Sequence, residues 1–308
     1  MGVCDMATGF LTKAASAATL PVAPLYGAFL SYFIYHPPRR PHHKKPEDLG
    51  LTSTDVQVPL NGKPRGLHVW LCEGDTERVV VLGHGLGLSK SASLAQAAML
   101  NRAGYTVALF DHRNHGKSVS DPACWGMSDR HTDDVVAVIK HLRAMDEYAE
   151  ARFAVFGFSI SAFPSFYLLG RAADCPVDAV ICDSGPALEL VPLFRNFVAA
   201  DGLPIPGPLR TGLSRKALET VAASSALAML RVQWPPAAEG AYERTPMLFL
   251  AGERDTMIPA AGVRALGERY PLAEVHTLPD TDHLQGIKTQ PDVYADTVLG
   301  FLERTLKD

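Results

Sequence analysis

At 308 residues and 47 % hydrophobic side chains, the chain is long enough for one large domain with a well-buried core and an added cap. A formal charge of −4 excludes the broad basic field that collects nucleic acid. Cys4, Cys72, Cys124, Cys175 and Cys182 make an odd count without C-x-x-C spacing, which argues against a disulfide framework or zinc knuckle and for a reducing, cytoplasmic setting.

Residues 14–38 carry no Asp, Glu, Lys or Arg and close on the apolar-aromatic run from Leu25 to Tyr35. As one helix this stretch would measure roughly 37 Å at about 1.5 Å per residue, enough to cross a bilayer. Arg39, Arg40, Lys44 and Lys45 would then keep the rest of the chain on the cytoplasmic side. Against that, Pro21 and Pro24 interrupt the run, and no signal-peptide cleavage pattern comes after it. Two readings stand: residues 1–40 touch a membrane, or they form an arm covering the protein's own surface or a second subunit. Residues 1–46 are set apart as this arm with its basic, proline-rich linker, and residues 47–308 as the main domain.

Asp55–Leu60 and Leu67–Leu71 alternate apolar and polar around Asn61-Gly62, which predicts a hairpin. Short apolar runs come next at Val79–Leu82, Thr106–Phe110, Phe153–Phe156, Val177–Cys182, Met247–Ala251 and Val275–Leu278, as buried parallel strands require. Between them Ala92–Arg102, Asp133–Met145, Ala162–Leu169, Ala260–Tyr270 and Asp292–Leu306 have helical spacing, giving a doubly wound order. Residues 187–243 break the alternation with helix-like pieces at Leu190–Ala199 and Arg215–Val232, where a lid would be inserted.

The chemistry concentrates at strand ends. Phe153–Ala162 is a buried strand running into a helix with Ser159 at the corner, the context of a nucleophile elbow. Such a turn needs small residues two positions either side of the serine; Gly157 satisfies this, and Ser161 departs from G-x-S-x-G. A serine hydroxyl needs a base and a carboxylate that orients the base. His283 and Asp255 come after later strands, in the chain order this fold uses; Asp183, also at a strand end, is the alternative acid. Gly83-His84-Gly85-Leu86-Gly87 opens a glycine-rich turn after a strand, so the N–H groups of Leu86 and Ile160 are the expected oxyanion donors. Gly85, Gly87 and Phe158 are expected to contact substrate, and His84 to support its turn. The pairs His42-His43 and His112/His115 lack partners at metal-ligand spacing, so neither metal nor cofactor is expected.

From about residue 55 to the end the chain resembles the α/β-hydrolase superfamily. It is similar to bacterial lid-bearing hydrolases with His84-Gly85 after the third strand and D-x-R-x-x-G-x-S, here Asp111 to Ser118, after the fourth. The resemblance implies a mostly parallel eight-stranded sheet with helices on both faces and an inserted helical lid, and it assigns Asp111 and Arg113 to pinning a loop. The expected activity is hydrolysis of a carboxylic ester or thioester of a small to medium apolar acyl group through an acyl-enzyme. A lyase eliminating an acyl group at the same site is the alternative, with a peptidase or a non-catalytic scaffold behind it.

Overall fold

The computed structural model describes residues 19–200 and 203–307. Among these the chain forms two compact units, one built from residues 37–123, 127–188 and 233 onward, the other from residues up to 36, 124–126 and 189–232.

The first unit is an eight-stranded sheet. Strands β1 (Thr54–Leu60) and β2 (Lys63–Cys72) pair antiparallel across Asn61 and Gly62, whose positive φ values of 51° and 74° suit a two-residue hairpin. β3 (Asp75–Leu82), β4 (Tyr105–Phe110), β5 (Arg152–Phe158), β6 (Ala179–Asp183), β7 (Met247–Gly252) and β8 (Ala273–Leu278) complete the order β1-β2-β4-β3-β5-β6-β7-β8, parallel from β4 onward. Alternate strand residues feed two cores. Val80, Leu82, Ala154 and Phe156 pack with helix α2 (Leu94–Arg102) and the C-terminal helix on one face; Val79, Val81, Phe153 and Val155 pack with α3 (Met127–Arg143) on the other. Parallel strands buried on both faces explain why their sequences read as apolar runs rather than alternation.

The remaining helices of this unit are α4 (Ala162–Tyr167), α7 (Ala241–Arg244), α8 (Ala260–Gly267), α9 (Gly286–Thr289) and α10 (Pro291–Thr305); α5 (Leu190–Ala199) and α6 (Gly212–Leu230) belong to the second unit. Of the stretch between β6 and α7, residues 189–232 belong to the second unit. Trp234 donates its indole N–H to the carbonyls of Ala187 and Leu188, both at 3.1 Å, so the flanks of the insertion are tied into the sheet unit.

In the second unit α1 (Ala23–Tyr35) lies along α6. Pro24 falls in its first turn, so the proline starts the helix instead of breaking it. Contact is close because Gly27 has no Cβ, which would sit 2.7 Å from the Leu218 carbonyl oxygen. Tyr35 donates its hydroxyl to the Ala226 carbonyl at 2.9 Å. No helix among the described residues is long and apolar enough to cross a membrane; the start of the apolar stretch, residues 14–18, lies outside the described residues. The basic linker is not a free connector either: Arg39 donates to the carbonyls of Gly116 and Ser118 at 2.9 and 2.6 Å, and His42 Nε2 meets the Asp111 carboxylate at 2.8 Å.

Candidate active site

β5 delivers Ser159 at its carboxyl end with φ of 53°, a left-handed conformation that costs a serine energy and that surrounding packing must hold. A 3-10 turn over Ser159–Ser161 leads into α4. Gly157 is obligatory: a Cβ there would stand 2.3 Å from the Ser161 carbonyl and 2.5 Å from Ala162 Cα, both backbone atoms. Ser161 fits because the space lies elsewhere. A Cβ on Gly83, at the end of β3, would meet Ser161 Oγ at 2.6 Å and Cβ at 2.7 Å, so glycine on the neighbouring strand makes room for the serine side chain. Ser161 Oγ uses that room to accept the Phe158 N–H at 2.7 Å, satisfying a backbone donor at the corner.

The partners arrive from the ends of β7 and β8. His283 Nε2 lies 2.9 Å from Ser159 Oγ, and its Nδ1 lies 2.7 Å from Asp255 Oδ2. A carboxylate only accepts, so Nδ1 carries the proton and Nε2 is left to receive the serine hydroxyl. The other Asp255 oxygen accepts the N–H groups of Met257 and Ile258 at 2.9 and 2.8 Å, which fixes the carboxylate in a buried pocket.

Asp183 is not on His283. Its oxygens accept the hydroxyls of Ser184 at 2.8 Å and Tyr294 at 2.7 Å, and burial pushes its pKa up. Ser184 Oγ in turn accepts the N–H of Leu284 at 3.0 Å. The candidate alternative acid therefore braces the residue after His283, a role sequence alone does not reveal because Tyr294 comes from α10, 111 positions away.

Leu86 and Ile160 occupy the turns after adjacent parallel strands β3 and β5, joined where the Gly83 N–H donates to the Phe156 carbonyl at 3.0 Å. Gly85 and Phe158 line a cavity of about 230 Å³ together with His283, Leu88, Leu284 and Ile287. Gly87 is outside that lining; its N–H points to His115 Nε2 at 3.3 Å, held there by a left-handed φ of 65°. A larger hollow of about 690 Å³, at Tyr167, Arg171 and Tyr242, contains none of Ser159, Asp255 and His283.

The loop beneath the site is pinned by buried charge. Burial alone would raise Asp111, but His42 and Lys90 hold its carboxyl well below the usual range, and Lys90, fully buried, is itself lowered to about 8 by burial against the pull of Asp111. Arg113 pairs with Asp134 and Asp121, each at 2.7 Å. His84 donates Nδ1–H to the Gly85 carbonyl at 2.9 Å and accepts the His112 N–H at 3.1 Å; burial keeps it neutral, and it supports its turn. Lys90 and His42 escape sequence reading since neither lies in a recognisable motif. Among the described residues no group of three His, Cys, Asp or Glu is placed to hold a metal ion.

The chain matches the family model described as serine aminopeptidase, S33, over residues 74–229, half its length. It is 24 % identical to the α/β-hydrolase domain-containing protein WAV2 of Arabidopsis thaliana, covering 84 % of this chain and 81 % of that protein. To a monoacylglycerol lipase of Mycolicibacterium smegmatis it is 27 % identical, over 68 % of this chain and 81 % of the lipase. Among solved structures an esterase of Pyrococcus furiosus shares the fold with a TM-score of 0.70 at 22 % identity, covering 88 % of this chain and 98 % of that one. The sheet, the site at its carboxyl edge and the family match agree: this chain belongs to that family of α/β-hydrolases and is an enzyme.

Proposed function

We propose that the protein is a serine esterase or thioesterase acting on a small acyl group. Ser159 Oγ attacks the carbonyl carbon as its proton passes to His283 Nε2, while the Leu86 and Ile160 N–H groups receive the oxyanion. Collapse expels the alcohol or thiol, protonated by His283; water then attacks the acyl-enzyme through the same histidine and frees the acid. Asp255 keeps Nδ1 protonated and steadies the imidazolium. The observation carrying this reading is the unbroken pair of hydrogen bonds from Ser159 through His283 to Asp255.

The cavity supports the substrate class. It lies beside His283, where Leu88, Phe158, Leu284 and Ile287 suit an apolar acyl chain, with Gln96, Gln285 and Lys288 among its polar lining. An aminopeptidase would need an acidic group for the substrate ammonium; among the described residues that line the cavity there is no Asp or Glu, and there is Lys288. A monoglyceride is one ester within this class, as the named lipase suggests. Nothing in the comparisons favours elimination over hydrolysis.

A fluorophosphonate probe should label the wild type at Ser159 and leave Ser159→Ala unlabelled, with p-nitrophenyl butyrate turnover lost in the variant. Full turnover by Ser159→Ala would overturn the proposal. Hydrolysis in oxygen-18 water should place the label in the released acid.

A further inference from the structure

Among the described residues, helix α1 carries an outer face without polar cover. Ala23, Gly27, Leu30 and Ile34 are buried, Gly27 against Leu218 and Ala222 of α6, whereas Val22, Leu25, Phe29 and Tyr32 are 53, 74, 50 and 40 % exposed. These four recur at helical spacing along one side, and residues 19–36 contain no Asp, Glu, Lys or Arg. A helix facing water ordinarily presents charged side chains there.

The face does not end with α1. Thr19 Oγ1 and Ser214 Oγ are 2.9 Å apart at one end, and Tyr35 reaches Ala226 at the other, so α1 and α6 run parallel. Leu213, in the first turn of α6 next to Ser214, is 65 % exposed and adds an apolar side chain at the end of α6 that lies by the amino end of α1. Exposed Arg210 and Lys216 flank Leu213 in the chain. Across the described residues of this unit five cations, Arg195, Arg210, Arg215, Lys216 and Arg231, face two carboxylates, Glu189 and Glu219, although the whole chain carries −4. Positive charge is concentrated on the unit that exposes the apolar face.

We propose that this face seats the helical unit on the surface of an anionic bilayer. Leu25, Phe29 and Leu213 enter the boundary between headgroups and acyl chains, the Tyr32 hydroxyl stays at headgroup level, and Arg210 and Lys216 meet lipid phosphates. Because half of α1 is occupied by α6, the helix lies in the membrane plane rather than across it. A second copy of the chain is the poorer occupant, since joining two such units places cations against cations. The proposal is independent of the reaction at Ser159.

The test is co-sedimentation of the full chain with phosphatidylcholine vesicles, with and without phosphatidylglycerol. The wild type should pellet with the anionic vesicles and be released by high salt. L25E/F29E should bind them about tenfold or more weakly, since each buried apolar side chain accounts for roughly that factor. Leu213→Ser provides a second, milder variant, and unchanged circular dichroism melting checks that each variant is folded. Wild-type protein that stays in the supernatant, folded L25E/F29E that pellets like the wild type, or a wild-type dimer in sedimentation velocity that L25E/F29E abolishes without any vesicle binding would each overturn the proposal.

Discussion

Moving one methyl group across the elbow should reveal how this site accommodates its unusual serine. Gly83→Ala places a Cβ 2.6 Å from Ser161 Oγ and 2.7 Å from Ser161 Cβ, while the next neighbour, His112 Nε2, is at an ordinary 3.5 Å. Overpacking of this kind costs about 1–3 kcal/mol. Ser161→Gly alone removes the acceptor for the Phe158 N–H, at 2.7 Å, and should cost about 1 kcal/mol. In the double variant the two atoms that clash with the added methyl are gone, so it should be no less stable than Ser161→Gly. The coupling should thus equal nearly the whole penalty of Gly83→Ala, about 1–3 kcal/mol in a double-mutant cycle. Differential scanning fluorimetry would read it as a shift of roughly 2–4 °C per kcal/mol for a domain of this size. Turnover should track stability across the set, because a displaced 3-10 turn moves Ser159 Oγ away from His283. If the two substitutions destabilise additively, the exchange of space between positions 83 and 161 is wrong.

Asp255→Asn should leave the fold intact, since its remaining oxygen can still accept from Met257 and Ile258, yet lower kcat by about 10³–10⁴ by imposing the wrong imidazole tautomer. Steady-state kinetics on a chromogenic ester would check it, and near-normal kcat would refute it. Asp183→Asn should slow turnover far less than Asp255→Asn while lowering the melting temperature, because it disturbs the brace at Leu284 and not the proton path. Stability should fall on acidification. His68 and His115 are held to about 4 in the fold, chiefly by burial, against 6.5 in the unfolded chain. Between those values the unfolded state binds more protons, so urea midpoints should decline from pH 6.5 toward pH 4; a flat profile would contradict the buried-neutral assignment. Asp134, held at about 2 by His112 and Arg113 against the effect of burial, should extend that loss as the pH falls below 3.8 toward 2.

Much of this architecture is legible in the chain because two-sided burial makes parallel strands conspicuous. The elements found at β3 to β8 coincide within a few residues with apolar runs such as Met247–Ala251, and Leu190–Ala199 is the helix its spacing predicts. Ser159, Asp255 and His283 are readable for a related reason: each comes just after a strand, and parallel strands send their carboxyl ends to one edge. Contact between distant side chains is what resists reading. No local pattern tells that Asp183 answers to Tyr294 and Ser184, that Lys90 and His42 converge on Asp111, or that glycine at position 83 licenses serine at 161. The apolar N-terminal stretch is ambiguous in sequence because a membrane span and a helix packed on protein share a composition, and no local pattern tells that Gly27 meets Leu218.

The Trp234 indole grips the carbonyls of Ala187 and Leu188, which holds the two ends of the segment between them together. With both roots of the insertion clamped beside β6 and β7, whatever chain lies between them is thermodynamically close to a closed loop. Adding residues to such a loop costs little, about 0.6 kcal/mol per doubling of its length. The segment from 189 to 232 can therefore behave as a cassette, replaceable together with α1 while strand register and the triad edge stay as they are. A chimera that keeps Ala187, Leu188 and Trp234 and exchanges the chain between them should therefore fold on the same sheet.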